Sequence, residues 1–298
     1  MARCACIDIG SNTTRLLVAE NDAERMLELL AERAFTRLGS ARDERGEIGA
    51  QKIAEVAAVV ARQVRLARDM KVDSLRIVAT AALRQAVNAA ALGRAIEASC
   101  GARMELLGEE EEARLAFVGA VGMLVRPPAG QLGVVDVGGG STELVVGTKA
   151  GGVTWSMSLP VGSSVLTDAD LPSDPPTEAE LAALRDKLAA LFDTVSAPQP
   201  AAAYAVGGSA TSLHRLVGVV LSHDALACGL ATLVTDPAAE VALRLGLHTE
   251  RVRLLPAGIL LLDAAARALR APLELAGGGL REGVVFEQLA RVTPPAPT

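Results

Sequence analysis

The sequence predicts an α/β protein built from two copies of one unit. Three observations carry this. The chain has 298 residues, about two domains at roughly 150 residues each. Residues 8–18 read DIGSNTTRLLV and residues 136–146 read DVGGGSTELVV; the offset is constant (136 − 8 = 128), and five of the eleven positions are identical. That spacing is too long for a solenoid unit and marks a duplicated domain. Around both copies, extended apolar runs alternate with stretches of helical periodicity, the pattern of mixed sheets covered by helices.

Each copy opens with an apolar strand (CACIDIG, LGVVDVG), a Gly-rich turn with hydroxyls, and a second strand (RLLVAE, ELVVG), so a hairpin fits better than a strand-to-helix unit. Between the copies, residues 52–70 carry helical spacing, 75–80 read as a strand, 86–99 as an Ala-rich helix, 103–107 as a short strand and 109–121 as a helix. After the second copy, 155–160 form a strand. Thr177-Glu178-Ala179-Glu180 is a capping box that opens a helix to about Val195. Residues 203–206 are a strand running into Gly207-Gly208-Ser209, which opens a helix. A helix ending at Leu269 begins at Pro256, 273–276 are extended, and a final helix covers 280–290. The boundary is placed at Arg126-Pro127-Pro128. This gives domains 1–126 and 127–298, with the last helix able to pack back on the first domain.

Composition narrows the function. Lys and Arg number 29 against 35 acids, a net charge of −6, which argues against attachment to DNA or RNA through a general basic field. Aromatic residues are 2% of the chain, too few for base-stacking platforms. Cys4, Cys6, Cys100 and Cys228 do not form a disulfide framework, and Cys4 and Cys6 read as core residues on one face of a strand. No His/Cys group has zinc spacing. Asp8 interrupts the first apolar run, and residues 254–262 are too short to span a bilayer. The expectation is a cytoplasmic protein without a membrane partner.

The two hairpins carry the strongest chemical signal. Their glycines let backbone N–H groups approach an anion, and Ser11, Asn12, Thr13, Ser141 and Thr142 add side-chain donors. In a cleft between duplicated domains they would face each other and grip phosphates; a lone copy would read as an ordinary turn. A carboxylate repels phosphate, so the Asp residues point instead to a cation such as Mg²⁺, which uses one or two carboxylates plus phosphate oxygens. Asp136 and Glu143 suit that role. Glu143 stands where Arg15 stands in the first copy, so the copies have diverged. The run Glu109-Glu110-Glu111-Glu112 complements a helix dipole, although one carboxylate beside bound phosphate could serve as a general base for water. Arg84 could bind phosphate oxygens bidentately or be a solvated helix residue. Gly208 and Ser209 stand either at an anion site or at a simple N-cap. Gly277-Gly278-Gly279 reads as a tight turn packing a helix. There is no GxxxxGK[ST] loop and no GxSxG elbow.

The ordered blocks CIDIGSNTTRLLV, ATAALRQAVN, GEEEEARLAF, VVDVGGGSTELVVG, AVGGSAT, LPAGILLLDAA and LREGVVFE resemble the exopolyphosphatase/guanosine pentaphosphate phosphohydrolase (Ppx/GppA) family, in its short two-domain form. The resemblance covers about residues 4–290. It implies two RNase H-like domains of the actin, sugar kinase and heat-shock ATPase superfamily with an interdomain cleft. The implied activity is hydrolysis of the terminal phosphate of inorganic polyphosphate, or of the γ-phosphate of guanosine pentaphosphate, with Mg²⁺ or Mn²⁺. The implied catalytic base is Glu112, with Arg84 as its catalytic partner, and Asp136 and Glu143 as metal ligands. The implied phosphate-binding residues are Asp8, Ser11, Asn12, Thr13, Gly138, Gly139, Gly140, Ser141, Gly208 and Ser209. A homodimer is also implied.

Two departures stand out: Glu109 takes a position that is glycine in the family, beside Gly108, and Val165 stands where related short forms carry arginine. With no evident basic path for a long polyanion, they favour short chains. An alternative is a non-catalytic protein that binds guanosine tetra- or pentaphosphate, and a third is an ATP-using kinase of the same superfamily.

Overall fold

A computed structural model of the chain describes residues 2–22 and 25–292. In chain order the strands and helices are β1 (Arg3–Ile9), β2 (Thr13–Asp22), β3 (Arg25–Phe35), α1 (Ala50–Asp69), β4 (Ser74–Ala79), α2 (Ala81–Arg84), α3 (Ala89–Cys100), β5 (Met104–Leu106) and α4 (Glu109–Gly122). They continue as β6 (Leu132–Val137), β7 (Thr142–Thr148), β8 (Gly152–Leu159), α5 (Ser163–Asp170), α6 (Glu178–Phe192), β9 (Ala202–Val206) and α7 (Gly207–Val217). The last are β10 (Val220–Leu221), α8 (His223–Leu233), α9 (Ala238–Leu245), α10 (Thr249–Leu269), β11 (Leu273–Leu275) and α11 (Leu280–Val292). The described residues fall into two compact units, 2–123 with 278–292, and Leu124–Gly277. The second unit thus starts and ends before the sequence-based limits 127 and 298, and α11 belongs with the first unit.

In the first unit the strand order is β3-β2-β1-β4-β5, with β1/β2 and β2/β3 antiparallel and β1/β4 and β4/β5 parallel. Successive side chains of a strand point to opposite faces, and β1 shows the consequence. Ala5, Ile7 and Ile9 join Val56, Val60 and Val64 of α1 and Leu92 and Ile96 of α3. Cys4 and Cys6, with Leu17 of β2, join Leu115 of α4 and Leu280 and Val284 of α11. Burial pushes the Cys6 thiol well above its ordinary pKa, with the charge of Asp8 adding to the effect, so it stays a neutral core residue. Helix α11 lies so close to α4 that a Cβ on Gly119 would stand 1.9 Å from the Gly279 carbonyl oxygen, and one on Gly283 2.0 Å from that of Leu115.

In the second unit the order is β10-β11-β9-β6-β7-β8. Without the edge strand β10 it repeats the first sheet, strand for strand and sense for sense. The 128-residue offset persists in the registers. Asp8 pairs with Arg15 and with Val78; Asp136 pairs with Glu143 and with Val206. The irregularities after Val18 and Val146 match as well. Val135, Val137, Leu144 and Val146 pack with Leu255, Ile259 and Leu262 of α10.

The capping box at Thr177 forms: its side chain accepts from the Glu180 amide at 3.3 Å, and the Glu180 carboxylate accepts from the Thr177 amide at 2.7 Å. Pro256 lies inside α10 rather than at its start, because His248 caps a helix that begins at Thr249. Strand β3 and helices α5, α8 and α9 add to the elements read from sequence. Among the described residues, no single helix is long and apolar enough to cross a membrane.

Candidate active site

The first hairpin turn is tight and braced. The Gly10 amide donates to the Thr13 carbonyl at 3.0 Å. The Asn12 carbonyl accepts from the amides of Thr36 and Arg37, at 3.0 and 2.9 Å, and the Ser11 carbonyl from Gly39 at 2.7 Å. Carbonyls are thus drawn back into the protein, while Ser11, Asn12 and Thr13 stay at the turn. Beneath the turn, Asp8 is buried and bonded to Arg15 Nη2 at 2.7 Å. The structure therefore gives Asp8 a cationic partner across the hairpin.

The second turn has the same bond, Gly138 amide to Ser141 carbonyl at 3.0 Å. Here the first turn of α5 does the bracing. The Gly138 carbonyl accepts from the amide of Ser163 (2.9 Å) and its hydroxyl (3.1 Å), and the Gly139 carbonyl from the amides of Ser164 and Val165. A Cβ on Gly162 would lie 2.4 Å from the Gly139 carbonyl carbon, so that contact requires glycine. The amides of Gly139 and Gly140 donate to no backbone acceptor among the described residues. In the loop Gly138, Gly139, Gly140 and Ser141, the carbonyls of Gly138, Gly139 and Ser141 are thus occupied.

Under this turn two carboxylates, Asp136 and Glu143, are direct cross-strand partners, and Glu143 is 1% exposed. Ser158 Oγ donates to Glu143 Oε1 at 3.0 Å. Like charges at opposed positions are unfavourable, and burial raises the cost. A divalent cation reverses the sign, so the donor set fits Mg²⁺ or Mn²⁺. No cluster of three or more His, Cys, Asp or Glu occurs among the described residues. Mg²⁺ is commonly held by one or two carboxylates with water and phosphate oxygens completing its shell, and the pair matches that pattern.

Asp136 also leans over the β9–α7 junction. Gly207 has φ +86°, and a Cβ on it would lie 2.3 Å from Asp136 Oδ1. The next residue, Gly208, lies against the Arg251 guanidinium, whose Nη1 would be 2.7 Å from a Cβ there. Ser209 is the third residue of α7, not its cap, since Val206 holds the cap position. Among the described residues its buried hydroxyl has no hydrogen-bond partner.

Arg251, 7% exposed, is the cation that reasoning from sequence missed. Its signal was position: it stands four residues before Leu255 and seven before Gly258, on the stripe of α10 that faces the core.

The acidic run at the start of α4 sorts itself by burial. Glu109 and Glu110 are exposed. Glu111 is bonded by Arg114 through Nε (2.7 Å) and Nη2 (2.8 Å), which holds its carboxyl below the usual value. Glu112 alone of the four is buried. Arg84, at the end of α2, donates through Nη1 to the Glu112 carboxylate and to the Leu107 carbonyl, the latter at 3.1 Å. Arg84 is therefore not a solvated helix residue; it fixes the orientation of Glu112.

A family model, the Ppx/GppA phosphatase family, matches residues 17–292. The chain belongs to this family. It is similar to exopolyphosphatase 2 of Mycobacterium tuberculosis, with 31% identity over 91% of this chain and 92% of the relative. It is also similar to exopolyphosphatase 1 of Mycobacterium leprae, with 30% identity over 96% and 89%. Among solved structures, the Aquifex aeolicus Ppx/GppA family member matches 98% of this chain and 99% of its own at 29% identity, with a TM-score of 0.83. The duplicated, RNase H-like α/β fold expected from the sequence is the fold shared with these structures. As a family member the chain is a hydrolase of phosphoanhydride bonds.

Proposed function

We propose that the protein removes the terminal phosphate of short inorganic polyphosphate chains, with guanosine pentaphosphate as the second substrate to test. The burial of Glu112 and its bond to Arg84 carry this reading: one carboxylate out of four is withdrawn from solvent and held in a fixed direction at a helix start. The two curated relatives bear the name exopolyphosphatase, which supports polyphosphate as the substrate class.

In this reading the first unit supplies Glu112, which accepts a proton from the attacking water. Arg84 keeps that carboxylate aimed and offers N–H groups to the oxygens of the transferring phosphoryl group. Ser11, Asn12 and Thr13 of the first turn, and Gly138 to Ser141 of the second, donate to phosphate oxygens, with Gly208 and Ser209 at the start of α7. Donors fixed before the reaction stabilise charge as it spreads over the phosphoryl oxygens. Asp136 and Glu143 would hold Mg²⁺ or Mn²⁺, which neutralises phosphate charge when bound. The bond between the terminal phosphorus and its bridging oxygen breaks, and water supplies the new P–O bond. Orthophosphate leaves, with a chain one phosphate shorter.

The test is phosphate release with Mg²⁺ from tripolyphosphate, long-chain polyphosphate and guanosine pentaphosphate, with Glu112→Ala alongside. The expected result is release from tripolyphosphate, reduced on the order of 10²–10⁴-fold in Glu112→Ala, with an unchanged circular dichroism spectrum. Undiminished release by that variant removes Glu112 from the role. No release from any substrate, with nucleotide binding intact, favours an alarmone-binding protein instead.

A further inference from the structure

On the first sheet one pair of neighbours has the wrong sign. Arg33 of β3 stands directly opposite Arg15 of β2. Elsewhere on these strands charges are matched: Arg3 meets Glu20 across β1/β2, and Glu32 of β3 meets Arg62 and Gln63 of α1. Arg15 and Arg33 share the sheet face of Cys6 and Leu17, because Asp8 and Arg15 lie two residues along from that pair. Over β1, β2 and β4 this is the face that α11 packs against.

The second residue of α11 is Arg281, a third cation on the same face. Arg15 is engaged by Asp8 at 2.7 Å, and Arg281 reaches Glu282 at 3.4 Å. The side chain of Arg33 makes no ion pair or hydrogen bond among the described residues. Arg33 is exposed on the edge strand; partial desolvation lowers its pKa, and the charges of Arg15 and Arg281 add to that. In a chain of net charge −6, Arg33 adds a positive charge to a sheet face on which Arg15 and Arg281 already have carboxylate partners.

The cluster also lies beside the first turn. Two residues beyond Arg33, Phe35 pairs with Thr13, and the next two residues donate their amides to the Asn12 carbonyl. At about 3.3 Å per residue, Arg33 is roughly 7 Å along the strand from that pair.

We propose that Arg33, opposite Arg15 on the edge of the first sheet, forms an anion subsite that binds a non-terminal phosphate of the polyanionic substrate. The proposal rests on the polyphosphate reading and extends it by naming what holds the chain beyond the phosphate being removed. The opposed arginines are a standing cost, since like charges directly opposite are destabilising. A phosphate between them turns that cost into charge-assisted hydrogen bonds. The pair is thus poorly explained as a stabilising device and well explained as a binding one.

The test uses calorimetric titration of tripolyphosphate and orthophosphate into Glu112→Gln protein, in which turnover is suppressed, carrying Arg33→Ala, Arg33→Glu or Arg33→Lys as second changes. Arg33→Ala is expected to weaken tripolyphosphate about tenfold, Arg33→Glu further, and Arg33→Lys least. Orthophosphate affinity is expected to stay within about twofold, and the unliganded melting temperature of the Arg33→Glu protein to rise as repulsion becomes attraction.

Unchanged tripolyphosphate affinity in Arg33→Ala, equal weakening of both anions, or no tripolyphosphate binding at all overturns the proposal. Phosphate release by the wild-type protein is measured in parallel. Absence of release with the binding differences intact defeats the hydrolase reading and leaves the subsite standing.

Discussion

The two hairpins of this protein share a backbone and differ in charge. Both have the Gly amide to turn-residue carbonyl bond at 3.0 Å, and both have an irregularity at the same place in the second strand. In both, an Asp stands opposite the residue that follows the turn by two positions. In the first unit that residue is Arg15 and the Asp8 carboxylate is neutralised by it. In the second it is Glu143, and two carboxylates share one register position. The position at the strand-to-helix junction differs in step. Ala79 of the first copy is fully buried, whereas the matching Gly207 has no side chain and the Asp136 carboxylate occupies the space. One scaffold thus carries an ion pair in one copy and two facing carboxylates in the other, the pair proposed above to hold a cation. The lesson is that duplication preserves the register while the residue facing the Asp changes from a cation to an anion.

The comparison can be broken most severely by giving the second hairpin the pairing of the first. Glu143→Arg should form an ion pair with Asp136 and lower Mg²⁺-dependent phosphate release by about 10³-fold, as expected when a metal's several kcal/mol of charge stabilisation is lost. Circular dichroism should show the fold retained. Activity near wild type would mean that the like-charged pair is not the metal site.

The converse change concerns stability. Asp8→Asn leaves the largely buried Arg15 without its anion, at a cost on the order of 3 kcal/mol, read in urea denaturation. A cost below about 0.5 kcal/mol would place the Asp8–Arg15 bond among weak surface pairs and weaken the contrast between the copies.

The smallest change is Gly207→Ala, which matches the second copy to Ala79 of the first. The left-handed backbone alone should cost about 1–2 kcal/mol. Displacement of Asp136 by the new Cβ should also raise the Mg²⁺ concentration needed for half-maximal release. A stability loss with unchanged metal dependence would show that Asp136 needs no room over Gly207.

Much of this was legible in the sequence. The repeated Asp-x-Gly turns gave the duplication and the α/β class, because both depend on local patterning. The capping box at Thr177 was readable for the same reason. Less legible were features that exist only once strands are paired. Asp8 was grouped with the phosphate-binding residues, and its bond to Arg15 follows from a cross-strand register. Strand β3 was missed because its exposed edge lacks a clean alternation, with Glu28, Glu32 and Arg33 among its apolar residues. Arg84 could be read as a solvated residue until the α2 turn brought it to Glu112. Glu112 stood out from Glu109, Glu110 and Glu111 through the family resemblance, and burial gives the physical reason. Arg251 stayed hidden because its partner loop is far away in sequence.

The measurement closest to the central claim is the Mg²⁺ dependence of phosphate release from tripolyphosphate in wild-type, Glu143→Gln and Asp8→Asn proteins, each first stripped with chelator. The account predicts that Glu143→Gln raises the half-activating Mg²⁺ concentration at least about tenfold. Asp8→Asn should leave that concentration within about twofold of wild type, whatever it does to stability. An equal shift in both variants, or a shift in Asp8→Asn alone, would contradict the assignment of the cation to the second hairpin.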